Sequence, residues 1–281
     1  MPPGVRIRRR QLQTAVRHFR HRRDGRRITL VATIHCALPV YFTELKHLIC
    51  QIEQTGAAVY CEGLDRFVGP PEPDPTPAEQ QILDRWNQQD ADNADRRAQR
   101  HGYVTQRHLL DHPSWRNVDL PARGMVRLVG LDDMRQWLDD HRTAAAEDPH
   151  AELASQVSDL TFWREMASRR RRIQRRVAAR EHPRLYARRR QIILERLHAQ
   201  AVDQDIVAVN GCGHHWAMCA DLRAHGYRQT GVSWHTARPF PSFLEQIRLL
   251  QQLNVARQSQ ADRPITNPAT ASTAGQSEGS A

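Results

Sequence analysis

Short unbroken apolar runs, each closed by a polar residue or a turn, alternate along this chain with longer amphipathic stretches. Ile28-Thr29-Leu30-Val31-Ala32-Thr33-Ile34-His35, Ala57-Ala58-Val59-Tyr60-Cys61-Glu62 and Ile206-Val207-Ala208-Val209-Asn210-Gly211-Cys212-Gly213-His214 each read as a buried strand. Arg22-Arg23-Asp24-Gly25, between Val16-Arg17-His18-Phe19-Arg20 and the first of these runs, is a hairpin signal. After Pro39, the residues Phe42, Leu45, Leu48, Ile49 and Ile52 recur at helical spacing, and Gly56 supplies a stop. Strand, helix and strand in that order predict a βαβ unit with parallel pairing.

Beyond Glu62 the pattern turns polar. A proline-rich loop covers 68–77, and 78–99 reads as a helix whose apolar stripe is Ile82, Leu83 and Trp86. Residues 125–131 form another buried-strand candidate, ending in Gly130-Leu131-Asp132-Asp133. Helices are predicted at 136–146 and 151–197, the second broken near Pro183, and at 216–225 with Gly226 as its stop. A last strand at 229–234 and a helix from 241 to about 255 complete the elements. The fold class this predicts is α/β, a layered and mostly parallel central sheet flanked by helices. It forms one domain over 1–255 with helical insertions at 65–123 and 134–200, and the polar tail at 256–281 is expected to be disordered.

Composition changes this picture little. The net charge of +10 invites a nucleic-acid reading, yet Lys46 is the single lysine among 41 basic residues. That bias, beside abundant Ala and Pro, fits arginine-rich coding better than a phosphate-binding surface. Arg169-Arg170-Arg171-Arg172 and Arg175-Arg176, interleaved with Ile173 and Val177, are expected to form a solvated helix face, so nucleic acid is not the expected partner. No apolar run approaches the roughly 18 residues of a membrane span, and no apolar signal-peptide core follows the basic start. The five cysteines are odd in number and lack CxxC spacing. A reducing cytoplasm is the expected location.

The strand ends carry the chemistry. His35, Glu62 and His214 would meet at the carboxyl edge of the sheet, where open α/β folds build their sites. Two imidazoles and a carboxylate suit Zn, Mn or Fe, and a bound metal makes water a nucleophile near neutral pH. Without metal, the same groups can serve as general base and orienting carboxylate for a water molecule. Cys36, Cys61 and Cys212 flank the three residues and raise a Cys–His nucleophile as an alternative. Strand alternation turns Cys36 and Cys61 away from their neighbours, so these are expected to be small apolar residues. Asp132 is a further candidate by position.

Gly211-Cys212-Gly213-His214, followed by Trp216-Ala217-Met218-Cys219-Ala220-Asp221-Leu222-Arg223-Ala224-His225-Gly226-Tyr227, resembles the GxGH…L…GY signature of the TraB/GumN/TIKI family. The run from Leu30 to His35 resembles that family's first GxxH motif, with Ala32 in place of the glycine. Val59-Tyr60-Cys61-Glu62-Gly63-Leu64 looks like its second-strand glutamate motif. Tyr103-Val104-Thr105-Gln106 with Asn117-Val118-Asp119, and Arg190-Gln191 with Leu194, are similar to further stretches. The resemblance implies a hydrolase-like fold related to erythromycin esterases and haem-binding ChaN proteins, with metal-dependent peptidases in the TIKI branch. It implies that His35, Glu62 and His214 hold a divalent metal (Mn, Zn or Co) or a catalytic water. His214 is favoured over the adjacent His215 by its motif position. Arg190 would serve as electrophile for an oxyanion or substrate carboxylate, and Tyr103, Gln106 and Asp119 would shape a cap. The expected activity is metal-assisted hydrolysis of a peptide or related amide or ester bond, on a peptide or small-molecule substrate. A non-catalytic peptide- or haem-binding protein using the same cleft, and an arginine-driven nucleic-acid binder, stand as alternatives.

Overall fold

The structure is a computed structural model describing residues 4–64, 66–68, 72–106, 112–146, 151–167, 183–201 and 204–261. The first half of the chain forms β1 (Val5–Arg8), β2 (Gln11–His21), β3 (Arg27–Thr33), β4 (Cys36–Ala37), α1 (Pro39–Glu53), β5 (Ala58–Cys61), α2 (Pro77–His101) and β6 (Val104–Thr105). There follow α3 (Ala122–Val129), α4 (Leu131–Ala146), α5 (Ala151–Met166), α6 (Pro183–Gln200), β7 (Ile206–Gly211), α7 (Cys212–Ala224), β8 (Tyr227–Pro239) and α8 (Phe243–Ala261).

The central sheet runs β1-β2-β3-β7-β5, and β8 pairs with β2. Its β3–β7 and β5–β7 pairs are parallel, whereas β1–β2, β2–β3 and β2–β8 are antiparallel. The sheet is therefore mixed rather than mostly parallel. The Asp24-Gly25 hairpin folds β2 back against β3 and begins the antiparallel half. The parallel half obeys burial: Ile206, Val207, Ala208 and Val209 are all buried, so β7 needs cover on both faces and both edges. It sits between β3 and β5, which the βαβ reading had placed side by side.

Strand alternation sorts the core into layers. Val31, Val59, Val207 and Val209 face Phe42, Leu45 and Ile49 of α1. Leu30, Tyr60, Ile206 and Ala208 face Ile193 and Leu197 of α6 and Met218 and Leu222 of α7. A third cluster stands apart from the sheet: Ile82 and Leu83 of α2, Val126 and Val129 of α3, Met134 and Leu138 of α4, and Leu185 of α6. These helices make a cap with its own small core. The proline-rich connection is tied to it through Arg127, whose guanidinium donates to Glu79 and to the carbonyls of Pro73 and Asp74.

Several elements differ from the sequence reading. Residues 125–131 belong to helix, not strand. The run is short and apolar, a pattern that fits a buried strand or a buried helix equally, and its Val126 and Val129 turn one face towards α2 and α4. Gly130, at φ 96°, breaks α3 from α4. Asp132 consequently lies in the first turn of α4, with its side chain 95% exposed and paired to Arg135. The last strand is longer than expected, and α8 extends to Ala261, so the first residues of the expected tail are helical. The arginine run at 169–176 lies outside the described residues. Among the described residues, no helix is long and apolar enough to cross a membrane.

Candidate functional site

Glu62 follows β5 directly, and its N–H donates to the Val209 carbonyl at 2.9 Å, as though the strand pairing continued one residue further. Its carboxylate is gripped from two sides. Gly211 N–H, at the β7-to-α7 junction, donates to Oε2 at 2.6 Å. Arg189 Nη2, from α6, donates to Oε1 at 2.7 Å. Glycine matters at 211 because a Cβ there would lie 3.3 Å from Oε2, closer than an unstrained contact.

Arg189 also holds Asp119. Its Nε lies 3.2 and 3.1 Å from the two carboxylate oxygens, and its Nη2 makes a further short contact. Asp119 is fully buried. Asn117 fixes it by accepting its N–H at 2.8 Å, and Leu120 N–H donates to Oδ1 at 2.7 Å. Arg196 caps the Val118 and Asp119 carbonyls at 3.2 and 2.5 Å. One guanidinium thus lies between two carboxylates, in the planar fork geometry that only arginine offers.

Burial by itself would raise the Glu62 pKa. Arg189, His214, the Gly211 N–H and His35 outweigh it and hold the carboxyl down at about 2. Both motif histidines are therefore electrostatic neighbours of Glu62. His214 is buried in the first turn of α7. His35 sits exposed past the end of β3, and its carbonyl accepts the Gln106 N–H at 2.8 Å. Pairing of β4 with β6 brings Gln106 there. Unspent polar capacity collects at the same end of the sheet. Thr33 Oγ1, Gln106 Oε1 and both amide atoms of Asn210 are buried without a hydrogen-bond partner, an arrangement that calls for bound water or ligand.

His215 belongs elsewhere. Its Nε2 accepts from Arg17 Nε at 3.1 Å, which requires a neutral ring, and burial together with Arg17 pushes its pKa down to about 3. The cysteines are poor nucleophiles here. Burial and the Glu62 charge push the Cys212 thiol up to about 12, and Cys61 is buried on the α1 side of the sheet, away from Glu62.

Two features depart from the expected site. The guanidinium at Glu62 belongs to Arg189, one residue before the Arg190 to which the resemblance points. The signal was present: Leu185, Arg189, Ile193 and Leu197 recur at i+4, placing Arg189 on the inward stripe of α6. A preformed metal set is the second. Among the described residues, the groups of His, Cys, Asp and Glu whose ligand atoms all lie within 4.8 Å of one another are Cys50–Glu53–His112 and His198–Asp221–His225. His35, Glu62 and His214 do not form one, and both Glu62 oxygens already accept N–H donors. No family model matches the chain, and neither the curated proteins nor the solved structures yield a match.

Proposed function

We propose that the chain is a hydrolase of the TraB/GumN/TIKI type, cleaving a peptide or related amide or ester bond at the carboxyl edge of its sheet. The observation that carries this reading is the ionised, doubly anchored Glu62 flanked by His35 and His214. Such a carboxylate is a weak base, yet it stabilises a neighbouring imidazolium. His35, the exposed member, takes the proton of an attacking water and returns it to the departing amine or alcohol as the C–N or C–O bond breaks. Glu62 steadies the charge that results, and buried His214 orients Glu62 or the leaving group from the α7 side. Thr33, Gln106 and Asn210 supply hydrogen bonds for the water or the substrate's polar edge. A metal held jointly by the three does not fit their spacing or the engaged Glu62 oxygens, so no step is drawn through one.

The test is turnover of a panel of peptide amides and carboxylic esters by the purified chain, with and without chelator. Expected is a chelator-resistant activity that falls at least about a hundredfold in His35→Ala and Glu62→Gln, the scale of a lost acid–base group. Failure to cleave any member of the panel, or activity retained in both variants, refutes the proposal.

A further inference from the structure

Away from the Glu62 edge, the C-terminal parts of α6 and α7 bring together a second chemical group. His198 Nε2 lies 2.6 Å from Asp221 Oδ2. His225 Nδ1 lies 3.4 Å from the same oxygen and 3.0 Å from the Asp221 backbone carbonyl, a hydrogen bond that an ion would displace, and the two imidazole centroids are 4.2 Å apart. One donor atom from each residue falls within 4.8 Å of the others. Asp221 and His225 are i,i+4 neighbours on one face of α7 and its end, and His198 reaches across from α6. All three side chains touch solvent, at 27%, 24% and 53% exposure for His198, Asp221 and His225.

We propose that His198, Asp221 and His225 form a binding site for a divalent transition-metal ion of the Zn2+ class. Two imidazoles and one carboxylate suit borderline metals, whereas Ca2+ and Mg2+ require oxygen-rich shells. With ligand bonds of about 2.0–2.2 Å, donor atoms around one ion stand about 3–3.5 Å apart. The His225–Asp221 separation already meets that spacing. The His198–Asp221 contact needs to open by less than about 1 Å, as the ion replaces the proton now shared between them. Solvent access leaves the remaining coordination positions to water. The ion would clamp α6 to α7 about 13 Å along α6 from Arg189 and about 10 Å along α7 from His214. It thereby steadies the two helices that present those residues to Glu62. At the other cluster, Glu53 already accepts from Trp115 Nε1 at 3.1 Å and from Ser114, and His112 Nδ1 is engaged by Ser114 at 2.8 Å.

The experiment titrates the chelator-stripped full chain with Zn2+ alone by calorimetry, and with Co2+ by absorption spectroscopy. Expected are one equivalent of Zn2+ and cobalt d–d bands without thiolate-to-cobalt charge transfer. His225→Ala, at an exposed helix end, should weaken binding by more than about tenfold and abolish the Zn2+-induced rise in unfolding midpoint. Glu62→Gln should bind as the wild type does. Thiolate charge transfer places the ion at Cys50 and overturns the proposal. So does binding that is lost in Glu62→Gln but kept in His225→Ala, or no binding at submillimolar Zn2+.

Discussion

Replacing Arg189 by methionine keeps most of the aliphatic volume and removes the guanidinium that bridges Glu62 and Asp119. The side chains involved are 11%, 14% and 2% exposed for Arg189, Glu62 and Asp119, so water compensates little. Breaking a buried pair in this way costs about 3–5 kcal/mol. The titration gives a second measure. Glu62 is held at about 2 against an ordinary 4.5, which corresponds to roughly 3 kcal/mol. Because the folded value is depressed, this stabilisation is complete above the unfolded pKa and is lost as the pH falls from about 4.5 towards 2. In Arg189→Met, burial is no longer opposed by the arginine, and Glu62 takes up a proton more readily. The penalty should therefore shrink on acidification. Urea unfolding of wild type and variant at pH 7 and pH 3 measures it. The expected gap is about 3–5 kcal/mol at pH 7, smaller by about 1–2 kcal/mol at pH 3. Titration of groups that Arg189 does not touch cancels in the comparison. A gap below about 1 kcal/mol, or one that is equal at both pH values, refutes the reasoning.

His215→Gln keeps an acceptor for Arg17 but removes a ring whose pKa falls from 6.5 to about 3 on folding. The depressed value means that stability is full above 6.5 and declines as the pH drops, by up to roughly 4–5 kcal/mol. The variant should accordingly lose less stability than the wild type between pH 6.5 and pH 4 in urea midpoints, and equal slopes would contradict the assignment. Gly211→Ala has an ordinary backbone φ of −50° but places a Cβ 3.3 Å from Glu62 Oε2. Expected is a fall in kcat/KM of about tenfold or more with stability changed by under about 1 kcal/mol; full activity would show that the close approach is immaterial.

The strands that deliver the site were legible because they are apolar on both faces: β3, β5 and β7 fall on the runs at 28–35, 57–62 and 206–214, although β7 ends at Gly211 and His214, expected at a strand end, lies in the first turn of α7. Their order was not, since nothing local tells a strand which distant partner will cover its edge. The helix at 122–129 escaped for a related reason: an eight-residue segment spans too few turns for its period to distinguish its class. At the site, His35, Glu62 and His214 were singled out from strand ends and motif positions, and both histidines are electrostatic neighbours of the Glu62 carboxylate. Asp119 and Arg189 were not assigned their pairing. A buried ion pair between a loop and a helix far apart in sequence leaves no periodic trace, although the helical phase of Arg189 against Leu185 and Ile193 could have singled it out.

Helix α6 has one end in the cap and the other in the body. Leu185 is embedded in the cap cluster, whereas Ile193 and Leu197 are seated against the sheet, and Arg189 lies between the two anchorages. The helix that carries the cation is therefore shared between the two cores. Among the charges around Glu62, Arg189 contributes most against burial, which favours protonation. The ionised state of the carboxylate thus depends on the packing of the cap cluster as well as on that of the sheet, through a single helix.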